Sequence, residues 1–349
     1  MAVCKSELAE ERRFRREAAA LFGAGGLLRL AMLRLLPMPP YPALEEQYYS
    51  TTAHSLAFRG TFTEHYLHAF RPPGYPAFLA LHLRLFGEAT RPVQVSQNLL
   101  FLLAAALFTL LARRLAGPRV ALITAALLLL NPLWLVLPQE AYSETLFITL
   151  AAGALLAAAP LLDRQAPRRS DAGWALLVGL LFGLGALVRE IGALMALVVL
   201  GVVLLQFRKQ GDARRAARVS AAVLLGLLVT IGPWTLRNYR LFHRLVPVTT
   251  NGAVNLYLGN NPQATGGYVW ILPPEVAATW NRAPDPHGER ELAAARRCGA
   301  AALAYMAAHP LRTVELSFTK LARLWSAGPL RPLSPSAAAA MRLYRWLFW

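Results

Sequence analysis

Residues 95–137 read VSQNLLFLLAAALFTLLARRLAGPRVALITAALLLLNPLWLVL, and this stretch decides the fold. Two apolar runs, 95–112 and 120–137, flank the turn Arg113-Arg114-Leu115-Ala116-Gly117-Pro118-Arg119. Neither run carries a charge over its 18 residues. A helix rises about 1.5 Å per residue, so each run approaches the roughly 30 Å hydrocarbon thickness of a bilayer. The pattern predicts a transmembrane helical hairpin with a basic turn.

Further apolar runs at 18–37, 144–161, 173–188, 190–206 and 219–236 extend that reading along the chain. The fold expected is all-α and integral to the membrane, with about seven transmembrane helices. Residues 38–93 are polar, aromatic and broken by proline. They predict a large first extracytoplasmic loop bearing interfacial helices, one of them Ala77–Phe86. Three parts follow: a transmembrane catalytic module over 1–236, an extracytoplasmic segment over 237–335 with a surface helix near 301–326, and the start of an incomplete further span at 336–349.

Composition agrees. Of 349 residues, 56% are hydrophobic and 16% charged, against about 25% charged in a soluble domain. The net charge of +17 would suit nucleic acid in a soluble protein, but the cations sit in short loops between spans. Arg113, Arg114 and Arg119, then Arg164, Arg168 and Arg169, then Arg208, Lys209, Arg214, Arg215 and Arg218 all fall on one side if 38–93 lies on the other. The positive-inside rule makes that side cytoplasmic. A multi-pass inner-membrane protein with a cytoplasmic N-terminus follows, with no nucleic-acid partner and with an uncleaved first helix containing Arg29 and Arg34. Cys4 and Cys298 are far apart and suit neither a zinc site nor a disulfide. No nucleotide-binding loop or zinc-protease motif is present.

Polar groups gathered on the face opposite the arginine-rich loops carry the functional signal. Glu45 and Glu46 open Glu-Glu-Gln-Tyr-Tyr just past the first span, and a paired carboxylate at an interface can serve as a general base or remain a solvated loop charge. Arg71 heads Arg-Pro-Pro-Gly-Tyr-Pro, a rigid turn that can hold a guanidinium toward phosphate or anchor it at the interface. Glu144 stands at the mouth of a span, where a carboxylate is costly unless paired or functional. Arg189 and Glu190 occupy a hairpin tip and can pair with each other or reach a lipid phosphate. Pro233-Trp234-Thr235-Leu236-Arg237-Asn238-Tyr239 closes another span. Asn251, Asn255 and Asn260 lie in Asn-Gly-Ala-Val-Asn-Leu-Tyr-Leu-Gly-Asn-Asn-Pro, whose amides suit sugar hydroxyls as well as turns.

The order of these motifs resembles polytopic lipid-linked-sugar glycosyltransferases. The acidic pair with Tyr49, Pro72-Pro73-Gly74-Tyr75-Pro76, Tyr142-Ser143-Glu144-Thr145-Leu146, Val188-Arg189 and the Asn-rich stretch are similar to glycosyltransferase family 39, protein O-mannosyltransferases and the aminoarabinose transferases of lipid A. The likeness runs over roughly 18–325. It implies a GT-C-like fold and a polyprenyl-phosphate-linked sugar donor, with a lipid, glycan or protein acceptor and membrane lipids around it. Glu45 matches the general base, with Glu46 its neighbour, although the family usually has Asp there. Glu144 matches the second carboxylate. Arg71, Arg189 and Arg237 match phosphate-binding positions, and Tyr49, Tyr75, Asn251, Asn255 and Asn260 are the expected candidates for substrate contacts. A divalent metal, if one serves, would sit on Glu45 or Glu144. Relatives carry several more spans, so the resemblance implies a chain shortened at its C-terminal end. Two other readings are a transporter or flippase of lipid-linked saccharides and a non-catalytic membrane scaffold.

Overall fold

A computed structural model describes residues 2–41, 47–63, 67–162, 170–280, 285 and 287–325. Glu45, Glu46, the loop arginines Arg164, Arg168 and Arg169, and the expected span start at 336–349 lie outside the described residues.

Among the described residues, six helices are long and apolar enough to cross a membrane. They are α1 (Ala2–Leu35), α4 (Arg91–Leu130), α6 (Glu144–Leu162), α7 (Asp171–Val188), α8 (Ile191–Gln210) and α9 (Ala213–Phe242). Other helices lie between and after them: α2 (Gln47–His54), α3 (Gly74–Phe86), α5 (Pro132–Val136), α10 (Asn251–Gly259), α11 (Pro274–Ala277), α12 (Glu289–Ala308) and α13 (Pro310–Leu324).

The α4 segment holds both expected spans. Gly117 breaks it with φ 84° and ψ 179°, a left-handed φ that glycine tolerates, and Pro118 then starts the second arm without a lost hydrogen bond. Phe101 and Ala105 share one cluster with Ala125 and Leu129. In a straight helix Phe101 and Leu129 would be about 42 Å apart, so the arms fold back on each other. Gln94 donates to Gln139 Oε1 at 2.9 Å and Gln97 donates to the Pro138 carbonyl at 3.1 Å, which joins the open ends of the hairpin. The chain is a multi-pass membrane protein of all-helical fold, with six candidate spans among the described residues and the longest apolar one, α4, folded into two arms.

Lipid offers no hydrophobic reward for helix association, so close packing of small residues has to supply it. The central cluster is accordingly rich in alanine: Ala151, Ala154, Ala158, Ala175 and Ala196 surround Phe182 and Phe207. Gly226 of α9 lies against α7 so closely that an added Cβ would stand 2.6 Å from the Leu176 carbonyl. Outward-facing Leu127, Leu197, Val198, Leu205, Leu228 and Val229 stay exposed, as a lipid-facing surface requires.

The two ends of the bundle are held differently. At one end, Arg215 grips Asp171 with Nε–Oδ2 at 2.6 Å and Nη2–Oδ1 at 3.2 Å. The residues are 2% and 6% exposed, and the guanidinium lies 4.5 Å over the Phe207 ring. This pair ties together the starts of α7 and α9 and the end of α8. At the other end, the first loop and the α10–α12 segment are knit by one carboxylate. Glu291 accepts the His68 N–H at 2.5 Å, the Ala69 N–H at 3.1 Å and the Thr250 hydroxyl at 2.5 Å. Burial pushes its carboxyl above the usual range, against the pull of those three donors. Beside it, the Thr250 N–H donates to the Ala69 carbonyl at 2.9 Å.

The helix expected over 301–326 is broken in two. Pro310 cannot continue α12 and instead starts α13. The expected span at 219–236 is longer than its apolar run, because α9 continues through polar Arg237 and Asn238, which bond to neighbouring loops.

Two stability predictions follow from these pairings. Asp171→Ala or Arg215→Ala strands a buried charge and lowers stability by about 3–5 kcal/mol, whereas replacing both by Leu and Met leaves it near parent. Glu291→Ala leaves three donors without an acceptor and lowers stability by about 2–4 kcal/mol. Thermal unfolding of the purified protein in nanodiscs checks both.

Candidate functional site at the tip between α7 and α8

The helix α7 ends where Arg189 leaves helical geometry at φ −146° and ψ 124°. Glu190 then starts α8. This two-residue tip is where three distant segments meet.

The first is the turn before α3. Gly74 sits so close to the last turn of α7 that an added Cβ would stand 2.8 Å from both the Leu187 carbonyl and Val188 Cγ2. Tyr41, Tyr49, Tyr75 and Ala141 share a buried cluster with Val188. The second is the start of α6. Arg189 Nη1 lies 2.6 Å from Glu144 Oε1 and donates to Ser143 Oγ at 3.1 Å. Both charged side chains are about 40% exposed. The third is the entry to α10. The Thr249 hydroxyl donates to Glu190 Oε1, and Gly252 faces Glu190 Oε2, 3.9 Å from where a Cβ would stand.

The candidates named from the sequence divide around this tip. Glu144 and Arg189 form its ion pair. Arg71, on the turn carried by Gly74, lies over the rings of Tyr48, Tyr49 and Phe70 at 5.5–5.7 Å. Tyr75 is fully buried and its hydroxyl donates to Gln97 Oε1 at 2.8 Å. Tyr49 is buried edge-on to Tyr75. Arg237 stands apart on α9, stacked 4.7 Å from Trp234, and donates to the carbonyls of His68 at 2.8 Å and Phe62 at 3.2 Å. Its donors brace the first loop. Asn251 is buried at the start of α10, Asn255 is exposed on that helix, and Asn260 closes its end by donating to the Leu256 carbonyl at 2.9 Å.

Three groups near the tip escaped the sequence reading in these roles: Ser143, Thr249 and the amide set of Gln94, Gln97, Asn98 and Gln139. Gln94, Gln97 and Asn98 fall at i, i+3 and i+4, a spacing that marks one helix face. Gln139 Oε1 accepts from Gln94 at 2.9 Å and from Asn98 at 3.4 Å, and Gln139 Nε2 donates back to Asn98 Oδ1 at 3.1 Å. Among the described residues no three His, Cys, Asp or Glu side chains are grouped to hold a metal ion.

An apolar groove of about 490 Å³ runs along the tip-side half of α9. Leu228, Ile231, Leu236 and Tyr239 line it.

Residues 70–235 match the sequence family described as dolichyl-phosphate-mannose-protein mannosyltransferase. Over that segment, just under half of the chain, the sequence is similar to glycosyltransferase family 39. Arg71, Glu144 and Arg189 fall inside the matched segment, and Arg237 lies just beyond its last matched residue. The fold is similar to that of ArnT from Cupriavidus metallidurans, whose crystal structure holds undecaprenyl phosphate. The TM-score is 0.53 at 21% identity, covering 64% of this chain and 41% of that one. The present chain thus spans about two fifths of that protein's length. The two share a GT-C-like membrane fold. No curated protein sequence matches the chain.

The geometry separates stability from site function. The Glu144–Arg189 pair is half-exposed, so Glu144→Gln moves stability by about 0.5 kcal/mol or less. Gly74→Ala forces the first-loop turn off α7 and lowers stability by about 1–3 kcal/mol. Unfolding transitions of the two variants beside the parent check the contrast.

Proposed function

We propose that the protein is a membrane glycosyltransferase that moves a sugar from a polyprenyl-phosphate carrier to an acceptor hydroxyl. The carrying observation is the Arg189–Glu144 pair at the α7–α8 tip, seated against the Arg71 turn within the family 39-like segment. Guanidinium groups and a carboxylate brought to one membrane edge suit a reaction that separates a phosphate from a sugar.

In this reading Glu45 takes the proton of the acceptor hydroxyl, and Glu46 tunes it as a neighbouring charge. The acceptor oxygen forms its bond to the anomeric carbon from the face opposite the phosphate. The bond between that carbon and the phosphate oxygen breaks, and polyprenyl phosphate leaves with the electron pair. The anomeric configuration inverts. Arg71 and Arg189 offset the charge that grows on the leaving phosphate. Glu144 orients Arg189 and the acceptor. The groove along α9 has the apolar lining a prenyl chain needs, and the undecaprenyl phosphate held by ArnT supports that carrier class. In this reading the N-terminus lies in the cytoplasm and the tip on the opposite side of an inner membrane, a topology that the arginine-rich loops support.

The test is transfer of radiolabelled mannose or glucose from undecaprenyl-phosphate donors in membranes containing the protein. Parent activity should fall about 100-fold or more in Glu45→Gln and in Arg189→Ala, with unchanged protein levels. Full transfer by Glu45→Gln would remove the base assignment. A parent without transfer from any polyprenyl donor would remove the enzyme reading.

A further inference from the structure

Glu190 differs from the other acids at the tip. Its chain neighbour Arg189 turns away to Glu144 and Ser143. Among the described residues no cation reaches the Glu190 carboxylate. Its one bonded partner there is neutral, the Thr249 hydroxyl on Oε1. That bond aims the carboxylate and leaves Oε2 directed toward Gly252.

The surroundings of Oε2 are those of a small subsite. Gly252 is exposed, and apart from its own chain neighbours and helix backbone, Glu190 Oε2 is the one atom among the described residues within 4 Å of where its Cβ would stand, at 3.9 Å. A carboxylate oxygen therefore lies at van der Waals distance from the side of Gly252 that bears no side chain. Gly252 also lies in the first turn of α10, where backbone N–H groups lack intrahelical partners and can donate outward. Asn251, next to it, is 6% exposed, and its Oδ1 is buried with no donor among the described residues. An unfilled acceptor of that kind calls for a hydroxyl or a water, since an unmet buried polar group is costly. Carboxylate and amide acceptors beside backbone donors match a molecule that carries several hydroxyls, each both donor and acceptor.

We propose that Glu190 reads the transferred sugar, its Oε2 accepting a hydrogen bond from a ring hydroxyl in a subsite between the tip and the start of α10. Asn251 and Gly252 complete that subsite. The inference rests on the polyprenyl-phosphate-sugar reading above and adds the place where the sugar is recognised. The phosphate is gripped on the Arg189 side of the tip and the sugar on the Glu190 side. Glu190 is a specificity residue in this arrangement, and the proton of the acceptor never passes through it.

Binding of two lipids to the purified protein in nanodiscs tests this: undecaprenyl-phosphate mannose, and undecaprenyl phosphate without a sugar. Glu190→Ala should weaken the mannose-bearing lipid about tenfold or more and leave the bare lipid within twofold, since a hydrogen bond to a charged group is lost with the sugar alone. Glu190→Gln keeps an acceptor oxygen and should recover part of the loss. Gly252→Leu, at an exposed helical position where a Cβ meets Oε2 only at van der Waals distance, should cover Oε2 with the rest of its side chain and produce the same selective loss. Equal weakening of both lipids in Glu190→Ala would make Glu190 a brace for Thr249 and overturn the inference. Unchanged mannose-lipid binding in Glu190→Ala or in Gly252→Leu would overturn it too. A parent that binds neither lipid would overturn the polyprenyl reading and this inference with it.

Discussion

The contact between Arg189 and the start of α6 fixes the arrangement of everything around it. One guanidinium nitrogen meets Glu144 and Ser143 together. The pair sits at the mouth of two spans and remains partly open to solvent, so it adds little to stability. Its effect is geometric. By holding Arg189 toward α6 it leaves Glu190 to face α10, and the tip presents a cation to one side and a carboxylate to the other. A tip whose two charges paired with each other would offer neither.

That division depends on close packing beneath the tip. Gly74 lets the first-loop turn rest directly on Leu187 and Val188. Gly226 lets α9 approach α7 backbone to backbone. The Arg215–Asp171 pair holds α7, α8 and α9 together at the far end, so the tip is the end of a braced hairpin. Above it, the Glu291 carboxylate ties residues 68–69 to Thr250, next to the Thr249 that aims Glu190. Glu144, Arg189 and Glu190 are partly exposed, and Asp171, Arg215 and Glu291, which brace the two ends of the bundle, are buried.

Much of this was legible in the sequence, for a definite reason. Apolar runs near 20 residues leave few foldings in a bilayer, because every backbone group has to bond within its own helix. The two runs around Gly117 became two arms of one hairpin, and Glu144 and Arg189 stood at span mouths, where a charge needs a partner. What escaped depends on side-chain direction. Nothing in the string Val-Arg-Glu-Ile says that Arg189 turns to α6 while Glu190 turns to α10. Arg237 resembled a phosphate ligand from its place after Trp234, yet its donors meet backbone carbonyls of the first loop. The pairing partners of Gln97, Tyr75 and Glu291 are separated by 22 to 223 positions, and periodicity carries no signal over such distances.

The most direct test of the account is a cryo-EM structure of the protein in nanodiscs with an undecaprenyl phosphonate analogue of a mannosyl donor. The account predicts the phosphonate within hydrogen-bond reach of Arg189 and Arg71, the prenyl chain along α9, and the mannose between Glu190 and Gly252. A phosphonate bound away from the α7–α8 tip, with Arg189 still held on Glu144 and the space at Gly252 empty, would contradict it.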